Sequence, residues 1–212
     1  MAQSRRWQSL DNEIESLRKF LLPRKFDSLG QYPRPRLTQA RTRAFLVLSH
    51  AELESFFEQW AKELARKSEE IWKNNRRMTQ PLAALMATTE NHVVVNDKQT
   101  LAPQDMITAQ VDQFVQQRYA AYYKIIKDNH GIKEINLMRL LTPLGIPASV
   151  FGSTLLPSLN SFGSSRGLHG HNSVRFIQSV LDPETEYNRA KSLATDLKAL
   201  DNWLVQYRKK LR

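Results

Sequence analysis

Apolar residues recur along this chain at the three- and four-residue spacing of amphipathic helices. Leu10, Ile14, Leu17 and Leu21 predict a first helix over residues 7–22, which Pro23 ends. Phe45, Leu48, Leu53, Phe56, Phe57, Trp60 and Leu64 form one broad apolar face on a longer helix, from Thr38 to near Glu70, with no Gly or Pro inside it. A second long helix is expected to begin near Pro103, with Asp105 close to its first turn. Met106, Val111, Phe114, Val115, Tyr119, Tyr122, Tyr123, Ile125 and Ile126 carry it to Asp128, and Asn129-His130-Gly131 stops it. The final helix starts at Asp182-Pro183, with the proline suited to a first helical position. Leu193, Leu197, Leu200, Trp203, Leu204 and Tyr207 supply its apolar face.

The connecting stretches read differently. LPRKFDSLGQYPRPR holds three prolines and a glycine and marks a basic connector. Residues 74–103 read as a loop region, with Val93 to Val95 a short strand or buried turn. Short helices are expected at 132–142 and 148–161, separated by Pro143, Gly145 and Pro147. FGSSRGLHGHNS then reads as a Gly/Ser-rich turn into another helical segment. Four or five substantial helices with short connectors predict an all-α fold, most economically a helical bundle. By composition it divides into a basic N-terminal helix with its Pro-rich connector, residues 1–35, and a helical domain over 36–212.

Composition narrows the class. With 41% hydrophobic residues over 212 positions the chain can bury a sizeable core, and only 7 glycines argue against a turn-rich all-β chain. The absence of cysteine excludes disulfides, thiolate metal sites and a cysteine nucleophile. The charged N-terminus lacks an apolar leader core, and the longest apolar runs fall far short of the roughly 18 residues that span a bilayer. The expectation is therefore a cytoplasmic protein with no membrane partner.

Charge points to polyanions. The net charge is +10, from 31 Lys and Arg against 21 Asp and Glu. It is uneven: residues 1–43 carry ten basic side chains and four acidic ones, and Arg208, Lys209, Lys210 and Arg212 cluster at the other end. In a C-terminal helix those four also complement the helix dipole. Trp7, Tyr32, Trp72 and Trp203 are aromatics that either stack on bases or simply anchor the core.

Candidate chemistry rests on the histidines. His50 stands four residues before Glu54, so the two share a helical face; the plainer reading is a half-buried polar pair. His92 and His130 fall in expected loops and read as surface residues. His169 and His171 lie in Ser164-Ser165-Arg166-Gly167-Leu168-His169-Gly170-His171-Asn172-Ser173. His-x-His suits a metal, but a catalytic zinc takes three protein ligands and no third is near, so neither metal nor cofactor is expected. On a helix or helical turn Arg166 and His171 would approach one phosphate from the same side. The guanidinium would hold phosphoryl oxygens bidentately and the imidazole would move a proton to or from ribose oxygens. The plainer alternative is a polar helix start with its cap.

Two stretches together resemble the HEPN superfamily, within it the RiboL-PSP-HEPN-like group. LTQARTRAFLVLSHAELESFFEQWAKEL looks like that group's early helix with its Leu-x-His-Ala-Glu-x-Glu pattern, and LNSFGSSRGLHGHNS is similar to the R-x(4–6)-H signature of a late helix. The likeness covers roughly residues 36–70 and 105–212. It implies an all-α HEPN-like bundle and a homodimer whose two motifs face each other. The implied activity is metal-independent RNA cleavage of toxin or phage-defence type, with an antitoxin or defence-system protein as a further partner. Carried over by position, Arg166 and His171 are the catalytic pair and Glu54 orients Arg166. His169, Asn172 and Ser173 are neighbours that hydrogen-bond phosphate or ribose. Gly167 stands where active members carry a polar residue. Two further readings stay open: a non-catalytic helical module that binds RNA or a protein, and a DNA-binding protein, for which no helix-turn-helix or basic zipper stands out.

Overall fold

Helix α2, Pro35–Asn75, is the axis of the molecule: in the computed structural model each of the other α-helices packs against it. Residues 4–88, 104–171 and 180–211 are described, with backbone alone at 104–107 and 169–171. In chain order the helices are α1 (Arg5–Leu21), α2, α3 (Gln80–Ala87), α4 (Gln104–Lys127), α5 (Glu134–Leu141), α6 (Gly152–His171) and α7 (Pro183–Lys210). Two short 3₁₀ turns, Thr142–Leu144 and Ala148–Phe151, join α5 to α6. The fold is all-α, and among the described residues there is no strand. No helix among them is long and apolar enough to cross a membrane.

The apolar stripes do the assembling. Phe45, Leu53, Phe57, Trp60 and Leu64 of α2 are fully shielded from water, as are Ile14 of α1 and Leu197 and Leu204 of α7. Each such side chain contributes about 1.5–3 kcal/mol on burial. The ends follow cap chemistry: the Ser4 hydroxyl accepts from the Trp7 N–H at 3.1 Å, and Asp182 accepts from the Thr185 N–H at 2.8 Å ahead of Pro183. A buried carboxylate ties three helices together. Asp201 of α7 accepts the Ser4 hydroxyl at 2.6 Å, the Ser4 N–H at 3.2 Å and the Trp60 indole N–H at 3.0 Å. Helix α1 thus shares one core with α2 and α7.

Two expectations need correction. The stretch after Asn75 holds a helix, α3, inside what reads as loop: Thr79 caps it, accepting from the Leu82 N–H at 3.4 Å, and Pro81, Leu82 and Leu85 are buried. So short a helix forms because packing against α2 and α4 offsets its weak intrinsic stability. Val93 to Val95 lie outside the described residues.

The second correction concerns FGSSRGLHGHNS. Its described part is not a turn, for α6 runs unbroken from Gly152 to His171. Gly163 lets α6 approach the start of α5, where an added Cβ would meet Lys133 Cγ at 3.1 Å. From the other side Arg189 of α7 donates to the Ser165 hydroxyl at 3.2 Å and the Ser161 hydroxyl at 3.3 Å. Tertiary contacts override the poor helix propensity of glycine and serine.

Candidate functional site

Three of the residues that suggested chemistry, His50, Glu54 and Arg166, come near one another where α6 crosses α2. Positions 50 and 54 of α2 differ by one turn, and the His50 Nδ1 lies 3.6 Å from Glu54 Oε2. Arg166, half-buried on α6, is close enough to act electrostatically on both. His50 is 2% exposed. Burial, with the Arg166 charge adding to it, pushes the imidazole down to about 4, so it is neutral near pH 7. Burial also raises the Glu54 carboxyl above the usual range, and Glu58 adds to the rise. Arg166, His130 and the Gly131 N–H pull it back. Glu54 is thus held by three groups that favour its charged form against an environment that does not.

Glu54 also lines a groove of about 730 Å³ between α2 and the end of α4. Ala51 and Ile126 are apolar parts of its lining, Lys62 and Lys127 bring positive charge, and exposed His130 stands at one edge. Asn129, at that edge, donates to Glu58 Oε1 at 2.9 Å and to the Gly131 carbonyl at 3.2 Å, fixing the turn that delivers the Gly131 N–H to Glu54. The sequence placed His130 on the surface, which is correct. It gave no sign that the following turn would fold back onto Glu54, since the two lie far apart along the chain.

The motif itself is partly described. The backbone of His169 and His171 lies in α6, while their side chains, and Asn172 and Ser173 altogether, are outside the described residues, as is His92. The continuous helix changes one element of the reading. Positions five apart on an α-helix are separated by about 140° around its axis, so residues 166 and 171 do not share a face. Position 169, three residues on, is about 60° from 166.

The large aromatics are anchors. The Trp7 indole donates to the Ala194 carbonyl at 2.6 Å, the Trp72 indole to Asp112 at 3.1 Å, and Trp203 stacks on Tyr207 with ring centroids 5.1 Å apart. The Tyr32 hydroxyl accepts from the Asp27 N–H at 3.2 Å. Among the described residues no cluster of three His, Asp or Glu side chains is arranged to hold a metal ion. No protein-family model, curated protein or solved structure matches the chain.

Proposed function

We propose that the chain is a metal-independent endoribonuclease that cuts single-stranded RNA. One observation carries the reading: Arg166, the motif arginine, stands beside Glu54 and a buried, neutral His50 on the helix that carries the other half of the resemblance. The nearby carboxylate acts on the guanidinium through its charge, and the planar fork is the group that would take a phosphate. Neutral His50 adds no competing charge.

In the proposed step the ribose 2′-oxygen attacks the adjacent phosphorus and gives its proton to a base. The bond from phosphorus to the 5′-oxygen breaks, and that oxygen takes a proton from an acid. The products are a 2′,3′-cyclic phosphate and a 5′-hydroxyl. Arg166 would stabilise the charge that grows on the non-bridging oxygens, and His171 would transfer the proton. The angle between positions 166 and 171 on one helix supports a homodimer, in which two motifs facing each other present an arginine from one copy and a histidine from the other. The basic surface would gather RNA without regard to sequence.

The second reading is a non-catalytic helical module that binds RNA or a protein partner in a defence or toxin–antitoxin complex. Gly167 favours it, because that position offers no side chain to the phosphate. The deciding experiment incubates labelled single-stranded RNA with the protein in excess EDTA, beside His171→Ala and Arg166→Ala. Cleavage by the wild type alone, with cyclic-phosphate ends, supports the ribonuclease. RNA binding with no cleavage in any of the three moves the assignment to the module.

A further inference from the structure

On α2, positions 39, 43, 50 and 54 fall within about 60° of one another around the helix axis, so they form one stripe. Three of them are engaged. At one end Gln39 clasps the backbone where the chain re-enters before α7, donating to the Leu181 carbonyl at 2.7 Å and accepting from its N–H at 3.0 Å. At the other end His50 and Glu54 meet each other within the field of the Arg166 charge.

Arg43 lies between them, with two nitrogens that no described residue engages. Its Nε and Nη1 are shielded from solvent and have no hydrogen-bond partner among the described residues, while the residue as a whole is half-buried. Shielding guanidinium N–H groups without an acceptor is costly, more so than for a neutral donor. A small rotation of this half-buried side chain would turn those nitrogens to an anion arriving from outside.

The direction of α6 brings the motif towards it. Gly163 faces Ile132 and Lys133, next to the turn at Gly131 whose N–H reaches Glu54, and Arg166 acts on Glu54 and His50. The chain therefore runs antiparallel to α2, and the turn of α6 after Arg166 heads for Arg43, two helical turns or about 10 Å beyond His50.

From this placement we infer that Arg43 is a second phosphate-binding arginine, holding a backbone phosphodiester of single-stranded RNA beside the one at Arg166. The inference rests on the RNA reading of this face, but it concerns binding rather than cleavage. It requires fork-like donation from two nitrogens, which a lysine supplies only as a point charge.

The test uses a fluorescein-labelled single-stranded DNA oligonucleotide, which lacks the attacking 2′-hydroxyl and cannot be cut. Its affinity is measured across a salt series in EDTA for the wild type, Arg43→Lys and Arg43→Met, with melting temperatures of the unliganded proteins. Arg43→Met should bind about tenfold more weakly, with the slope of log affinity on log salt reduced by about one. Arg43→Lys should keep the slope and lose part of the affinity. Unliganded Arg43→Met should melt no lower than the wild type, since the change removes a charge without a partner. Wild-type affinity and slope in Arg43→Met overturn the inference and leave the ribonuclease reading standing. A lowered melting temperature with unchanged affinity makes Arg43 structural and also overturns it. Loss of binding in Arg43→Met from a wild type that cuts no RNA upholds the inference and sinks catalysis. A wild type that binds no oligonucleotide overturns the inference, and the ribonuclease reading is then judged by the RNA cleavage assay alone. Melting shifts with inorganic phosphate alone separate a free-anion site, which would respond, from one that needs the strand.

Discussion

His50 and Glu54 stand one turn apart on α2 with 3.6 Å between Nδ1 and Oε2, yet the imidazole is neutral at physiological pH. Proximity to a carboxylate would ordinarily favour imidazolium. Burial opposes it, and so does the Arg166 guanidinium approaching from α6, and together they win.

A pH dependence of stability follows. In the unfolded chain His50 takes up its proton near 6.5, in the folded protein only near 4. Between those values the unfolded state binds more protons, so the contribution of His50 is complete above about pH 6.5 and lost as pH falls towards 4. The full loss is on the order of 3 kcal/mol. The raised carboxyl of Glu54 works in the opposite sense and blunts it. Urea unfolding at pH 7 and pH 5 should reveal a larger drop for the wild type than for His50→Gln; equal drops would rule out a buried neutral histidine.

Asp201 should be among the least replaceable residues. It is fully buried and accepts from Ser4 and Trp60. Asp201→Ala strands those donors and should cost about 3 kcal/mol, whereas Trp60→Phe, which removes one donor, should cost about 1 kcal/mol. Denaturant midpoints that fall equally would refute this ordering.

Arg189 clamps the motif end of α6. It chelates both oxygens of Glu186, at 2.9 and 3.0 Å, while reaching Ser161 and Ser165. Arg189→Ala leaves a buried carboxylate alone and should cost about 2 kcal/mol. Amide exchange over residues 161–168 should accelerate more than over α1. Uniform acceleration along the chain would mean that the clamp has no local role.

Two glycines should answer oppositely to alanine. Gly145 has φ +76°, and a Cβ there would meet Gln80 Cγ at 3.1 Å, so Gly145→Ala should lower stability by about 1–2 kcal/mol. Gly167 lies in the helix with nothing within 4 Å of an added Cβ, so Gly167→Ala should raise stability by about 0.5–1 kcal/mol. Melting temperatures moving in the same direction would contradict the two environments. The open space at 167 also admits a polar side chain, so Gly167→Ser tests whether one there aids cleavage.

The sequence by itself determined the helical class and most of the helices. Burial of an apolar stripe is a local periodic requirement, written in Leu10, Ile14, Phe45, Trp60, Leu197 and Leu204 and in the caps at Ser4 and Asp182. It also determined which residue types were available for phosphate chemistry, Arg166 above all, and that His50 and Glu54 would share a face. Helix α3 and the unbroken run of α6 were decided only by the tertiary structure. Gln80 to Ala87 is too short to hold as a helix alone and the Gly/Ser segment is a weak helix former; both hold because α2, α4, α5 and α7 pack against them. The approach of Gly131 to Glu54, the neutral state of His50 and the shielding of Arg43 lay equally beyond the sequence. Charge states and orphaned donors depend on what lies within a few ångströms in space, and a one-dimensional pattern does not record which distant segment that will be.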